Sequence, residues 1–113
     1  MKLWLDDERN PIKHGFGEFI WVKTADEAIE ILKKGEVKFA SLDHDLGYSH
    51  YQGDFSDGNT GFKVLNWMEE NNVWPEDGVA VHSLNVVERP KMELVIKKQY
   101  GRNFYTAHRW FNE

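Results

Sequence analysis

Two short apolar runs in this chain stop abruptly at acids. Leu3-Trp4-Leu5 leads into Asp6-Asp7, and residues 37–42 lead into Asp43-His44-Asp45, followed by Leu46-Gly47. If the two runs are neighbouring parallel strands, their carboxyl ends share one edge of a sheet, the edge where ligands of open α/β sheets bind. Carboxylates brought that close repel one another. Either some stay protonated or a cation neutralises them, and oxygen ligands of this kind suit Mg²⁺ or Mn²⁺. Asp6, Asp7, Asp43 and Asp45 are therefore the candidate metal ligands.

The rest of the chain alternates β-prone runs with helical patterns. Residues 3–5, 19–22, 37–42, 79–84 and 104–107 read as strands of an α/β domain. Thr24 with Glu27 three residues on forms a capping box ahead of Ala28, Ile29, Ile31 and Leu32, with Gly35 as the stop. A second helix is predicted over residues 60–71, burying Phe62, Val64, Leu65 and Met68. A third opens around Pro90, turns Met92, Val95 and Ile96 inward and ends at Gly101. Two connections break the alternation, and both follow the acidic strand ends. Residues 8–18 contain Pro11, Gly15 and Gly17, too broken for the full helix a parallel crossover normally carries. Residues 47–59 form a long loop expected to cover the acids.

With 113 residues and no repeat or linker-like stretch, the chain reads as one domain, residues 1–113, with one core. Five Trp, four Tyr and seven Phe supply large side chains for that core, and Trp4, Trp21 and Trp67 sit in patterns that bury them. The absence of Cys excludes disulfides and thiolate chemistry, and no long apolar segment or signal-like start is present, which reads as a soluble cytoplasmic protein. A formal net charge of −5 argues against general binding of duplex nucleic acid. A small anionic ligand held by a metal or a few local cations remains compatible.

Two histidines carry acid–base potential near neutral pH, His44 between two acids and His82 at the end of the fourth apolar run. On adjacent strand ends they could face each other across a phosphate, one taking a proton from water and the other giving one to the leaving oxygen. Ser83 would donate to the phosphate. The plainer readings are that His82 is a core histidine, His44 orients a carboxylate, Asn85 caps a helix and Arg9 lies on the surface.

Asp6-Asp7, Asp43 and Ser83 resemble the receiver domains of response regulators, in which the acid pair binds Mg²⁺, the later Asp is phosphorylated and the Ser or Thr bonds the phosphoryl group. The Lys expected after the fifth strand is missing, with Thr106-Ala107-His108-Arg109 there. A group of cyclic-phosphate-processing receiver-like domains is more similar, through Asp6-Asp7-Glu8-Arg9, the motif from Leu42 to Gly47, Thr60-Gly61, and Val81-His82-Ser83-Leu84-Asn85. This resemblance implies a receiver or flavodoxin-like three-layer domain with a five-stranded parallel sheet and a shortened first crossover. Taken with the chemistry of the residues, the candidate site has His44, His82 and Asp43 as catalytic residues and Arg9, Thr60, Ser83 and Asn85 as phosphate ligands.

The leading expectation is divalent-metal-dependent binding and hydrolysis of a cyclic-phosphate-containing nucleotide. The first rival is a non-catalytic bacterial or phage module that sequesters a nucleotide or binds a protein. The second is a phosphoacceptor receiver, against which the missing Lys argues.

Overall fold

The computed structural model describes residues 1–11, 18–47 and 56–101. Strands β1 (Lys2–Leu5), β2 (Phe19–Val22), β3 (Phe39–Leu42) and β4 (Val79–Val81) form a parallel sheet in the order β2-β1-β3-β4. Helices α1 (Ala25–Leu32), α2 (Gly61–Asn71) and α3 (Glu88–Tyr100) complete an α/β, receiver-like architecture. The described sheet has four strands rather than five, because the strand expected at residues 104–107 lies outside the described residues. Most of the first crossover and of the loop over residues 47–59 lies outside them too.

Side chains alternate across the pleat, so each strand feeds two surfaces. Leu3, Leu5, Ala40, Leu42, Val79 and Val81 join one apolar cluster with Ala28, Leu32, Val64, Leu65, Met68, Met92 and Ile96 of the three helices. Trp4, Phe39, Ser41 and His82 are buried outside that cluster, on the opposite pleat.

The helices begin and end for local reasons. Thr24 Oγ1 accepts from the Glu27 N–H at 3.2 Å, the first half of the capping box of α1, while Glu27 Oε1 reaches back to the N–H of Lys23, one residue ahead of the N-cap, at 3.3 Å. Gly35 follows with φ of 74°, a left-handed conformation that favours glycine. Helix α3 opens at Glu88, two residues before Pro90, and stops at Gly101 as expected. The fourth strand ends at Val81, three residues short of the predicted span. Gly61 marks a close approach, since a Cβ there would run into the Asp43 backbone and stand 2.8 Å from Met92 Cε. Among the described residues no helix is long and apolar enough to cross a membrane.

Candidate functional site

The backbone ladder continues one step past three strands and aligns their ends. The Asp6 N–H donates to the Val22 carbonyl at 3.1 Å, the Asp43 N–H to that of Leu5 at 2.9 Å, and the His82 N–H to that of Leu42 at 3.0 Å. Asp6, Asp43 and His82 thus stand side by side at the carboxyl edge of the sheet. Each offers a ligand atom, and these atoms lie within 4.8 Å of one another.

Asp6 is the most tightly held of the three. Its Oδ1 accepts from the backbone N–H groups of Glu8 at 2.8 Å and Arg9 at 2.9 Å. Its Oδ2 takes the Arg9 Nε–H at 2.8 Å and meets His82 Nε2 at 3.1 Å. Burial alone would raise this carboxyl, but the bonds from His82, Arg9 and Glu8 outweigh it and bring it down to about 2. With Asp6 ionised, His82 Nε2 carries the proton, and in the neutral ring Nδ1 accepts from Ser41 Oγ, 2.7 Å away. The imidazole also stacks on the Trp4 indole, with 3.8 Å between ring centroids and 5° between planes.

Asp43 has the opposite electrostatics. Burial, then the negative charge of Asp6, push its carboxyl up to about 6, and Arg9 only partly offsets them. Arg9 bridges the two acids. Its Nη2 donates to Asp43 Oδ2 at 3.2 Å and to the His82 carbonyl at 2.9 Å. Burial works against the guanidinium charge, but Asp43 and Asp6 outweigh that and raise its pKa.

A cleft of about 130 Å³ opens above these groups, lined by Asp6, Glu8, Arg9, Asp43, Asp45 and Leu84. Among the described residues, four acids and one cation line it. Asp45 Oδ1 receives His44 Nδ1 at 2.7 Å and Asn85 Nδ2 at 3.0 Å, which ties the end of β3 to the start of α3.

The structure brings some of the candidate residues together and sends others elsewhere. Asp6, Arg9, Asp43 and Asp45 line the cleft, and Asp7, half-buried, does not. Neither histidine lines it. His82 lies among Asp6, Ser41 and Trp4, whereas His44 pairs with Asp45 and meets the Phe62 ring edge-on at 6.3 Å. The two rings thus have different immediate partners. Thr60 Oγ1 accepts from the Lys63 N–H at 3.3 Å, capping α2, and Thr60 lines a separate groove beside Phe62 and Trp67. Ser83 Oγ accepts from the Asn85 N–H at 3.0 Å, and Asn85 Oδ1 accepts from the N–H groups of Val87 and Glu88 at 3.0 and 2.9 Å.

The sequence reading did not include Ser41 or the polar contacts of Trp4. The signal was present in the pleat, because Ser41 has the parity of Asp43 and pairs in register with Trp4.

The sequence model of the family described as Cyclic-phosphate processing Receiver domain matches residues 1–98, and so spans every described strand and nearly all of α3. The chain belongs to this family. Neither a search of curated proteins nor one of solved structures found a match. Family membership links this receiver-like fold to the processing of cyclic phosphates, and the cluster of Asp6, Asp43 and His82 is where the described residues offer a set of metal-ligating groups.

The donor chemistry of that cluster fits a hard divalent cation through its oxygens. Asp43 Oδ1 is engaged only by the His44 N–H, at 2.8 Å, and a carboxylate oxygen has a second lone pair to give. His82 fits less well, with both ring nitrogens committed to Ser41 and Asp6.

Proposed function

We propose that this cleft binds a cyclic-phosphate ester of a nucleotide together with Mg²⁺ or Mn²⁺ and hydrolyses one ester bond of the ring. The observation that carries the reading is the pair of buried carboxylates at adjacent strand ends, Asp6 and Asp43, whose ligand atoms lie within 4.8 Å of each other in a cleft of one small ligand group's size, the first driven down by its hydrogen bonds and the second up by burial. Enzymes that run proton transfer near neutral pH separate their carboxyls in this way. Asp6 and Asp43 would hold the cation. When bound, it supplies the positive charge that lets phosphoryl oxygens approach four acids.

The chain's own groups then divide the work. Asp6 stays ionised and is fixed from below by His82, which Ser41 and Trp4 hold in place. Asp43, through the carboxylate oxygen that the cation does not take, accepts the proton of an attacking water. The water oxygen bonds to phosphorus, one ring P–O bond breaks, and the proton on Asp43 passes to the departing alkoxide oxygen. The product is a phosphate monoester. His44, oriented through Nδ1 by Asp45, and Asn85, bonded to the same carboxylate, set the position of Asp45 at the rim.

Product formation tests this reading. Cyclic mononucleotides, cyclic dinucleotides and RNA ends with terminal cyclic phosphate are incubated with the protein in Mg²⁺ or Mn²⁺ and followed by ³¹P NMR. One of them should convert to a monoester, and Asp43→Asn should cost roughly a hundredfold or more in turnover. Tight binding of one compound with no turnover would replace the enzyme by a nucleotide-sequestering module.

A further inference from the structure

Arg9 is held in a way that separates its backbone from its side chain. Its N–H is bound by Asp6 Oδ1 at 2.9 Å and its carbonyl accepts from Trp4 Nε1 at 2.7 Å, so the main chain is pinned at both polar groups. The side chain reaches from there across the cleft, with Nε on Asp6 and Nη2 on Asp43 and on the His82 carbonyl. Asp6 and Asp43 are nearly inaccessible, at 1% and 6% side-chain exposure, while Arg9 is 31% exposed. The guanidinium therefore sits over the acids on the solvent side, and it is the sole cation among the described residues that line the cleft.

This placement conflicts with a simple role for Arg9 as a phosphate ligand. A guanidinium recognises phosphate by presenting parallel N–H groups, and here Nε and Nη2 are spent on carboxylates. It conflicts equally with a divalent ion joining an unchanged site, because that ion would meet a fixed positive charge against the same oxygens.

We infer that Arg9 is a place-holding cation: a divalent ion displaces its guanidinium from Asp6 and Asp43, and the released fork then takes up the phosphate of the ligand. The inference rests on the proposed metal and phosphate reading of this cleft and adds an order to it. Metal binds first, and phosphate affinity depends on it, because until then Arg9 is neutralised by the acids. The pinned backbone lets the side chain swing without unfolding the turn. Asp6 and Asp43 are never left without a cation, which a buried pair of carboxylates could not tolerate.

The test reads binding and side-chain position rather than turnover. In ¹⁵N NMR of the wild type, the Arg9 Nε–H signal should be protected from exchange without metal and should shift and lose protection as Mg²⁺ saturates the protein. By calorimetry, Arg9→Gln should bind Mn²⁺ roughly tenfold more tightly than the wild type, since no ion pair has to be broken. The same variant should lose the Mg²⁺-dependent uptake of inorganic phosphate that the wild type shows. Arg9→Lys, which keeps the charge but not the fork, covers the case in which Arg9→Gln does not fold, and its Mn²⁺ affinity should fall between the other two. If Mn²⁺ binds the wild type and the folded variants equally while the Arg9 Nε–H signal stays put, the place-holder role is overturned and the metal site stands. If no form binds Mn²⁺, the metal reading of the cleft falls and the place-holder role falls with it.

Discussion

On one pleat of the sheet Leu5, Leu42 and Val81 pack into an apolar cluster with three helices, whereas on the other Trp4, Ser41 and His82 form a stacked, hydrogen-bonded line that ends at Asp6. The first surface supplies stability through contact area and has no directional requirement. The second fixes one carboxylate to within hydrogen-bond tolerance and gives it a depressed pKa. Asp43, one strand away, moves the other way under burial and the charge of Asp6. Neighbouring acids at equivalent strand ends become different chemical groups because of the hydrogen bonds each accepts and the charges each faces.

The sharpest way to break this comparison is to remove Asp6. Asp6→Ala leaves His82 Nε2, the Arg9 Nε–H and two backbone N–H groups without their acceptor, and should cost about 4 kcal/mol in urea unfolding. A loss under about 1 kcal/mol would mean that the polar line does not behave as a unit.

On the apolar surface, Leu65→Ala deletes a fully buried side chain far from any polar partner of the cleft and should cost about 3 kcal/mol. Its folded fraction should bind Mn²⁺ like the wild type. Altered metal affinity would show that the two surfaces are not independent.

Asp43 gives a pH signature of opposite sign to that of Asp6. Its folded pKa of about 6 stands above the ordinary 3.8, so its contribution is complete below about pH 4 and is lost as pH rises towards 6. Asp6, at about 2, contributes above its ordinary value and loses that contribution as pH falls towards 2. Without metal, wild type should lose on the order of 2 kcal/mol relative to Asp43→Asn between pH 4 and 6, measured by urea melts at each pH. Parallel stability curves for the two proteins would remove the unequal-carboxyl argument.

The smallest effect belongs to the rim. Asn85→Ala loses the acceptor for the Val87 and Glu88 N–H groups and the donor to Asp45, and should cost about 1 kcal/mol. Its Mn²⁺ affinity should change little, because Asp45 retains His44; a large drop would move Asp45 to the centre of the metal site.

Much of this was legible in the sequence where a local rule was sufficient. The capping box at Thr24 and Glu27, the stops at Gly35 and Gly101 and the acids at the ends of β1 and β3 each follow from a short pattern. What was not legible depended on which pleat a side chain faces and on turns of three residues. The stacking of His82 on Trp4 depends on both side chains facing the same pleat from strands that are not neighbours, which no short pattern announces. Arg9 looked like a surface residue or a phosphate ligand. Its spacing of three from Asp6 was the available signal, since an Asp accepting the N–H groups two and three residues on folds the chain back and brings the Arg side chain over its own carboxylate.

The central claim is that the cleft between Asp6 and Asp43 is where a divalent ion and a phosphate meet. A crystal soaked with Mn²⁺ and a cyclic nucleotide tests it directly through anomalous scattering. The account predicts a peak about 2.1–2.2 Å from carboxylate oxygens of Asp6 and Asp43, with the ligand's phosphate beside it and the Arg9 guanidinium moved onto the phosphate. A crystal in which Mn²⁺ is absent from this cleft while Arg9 still bridges the two acids would contradict it.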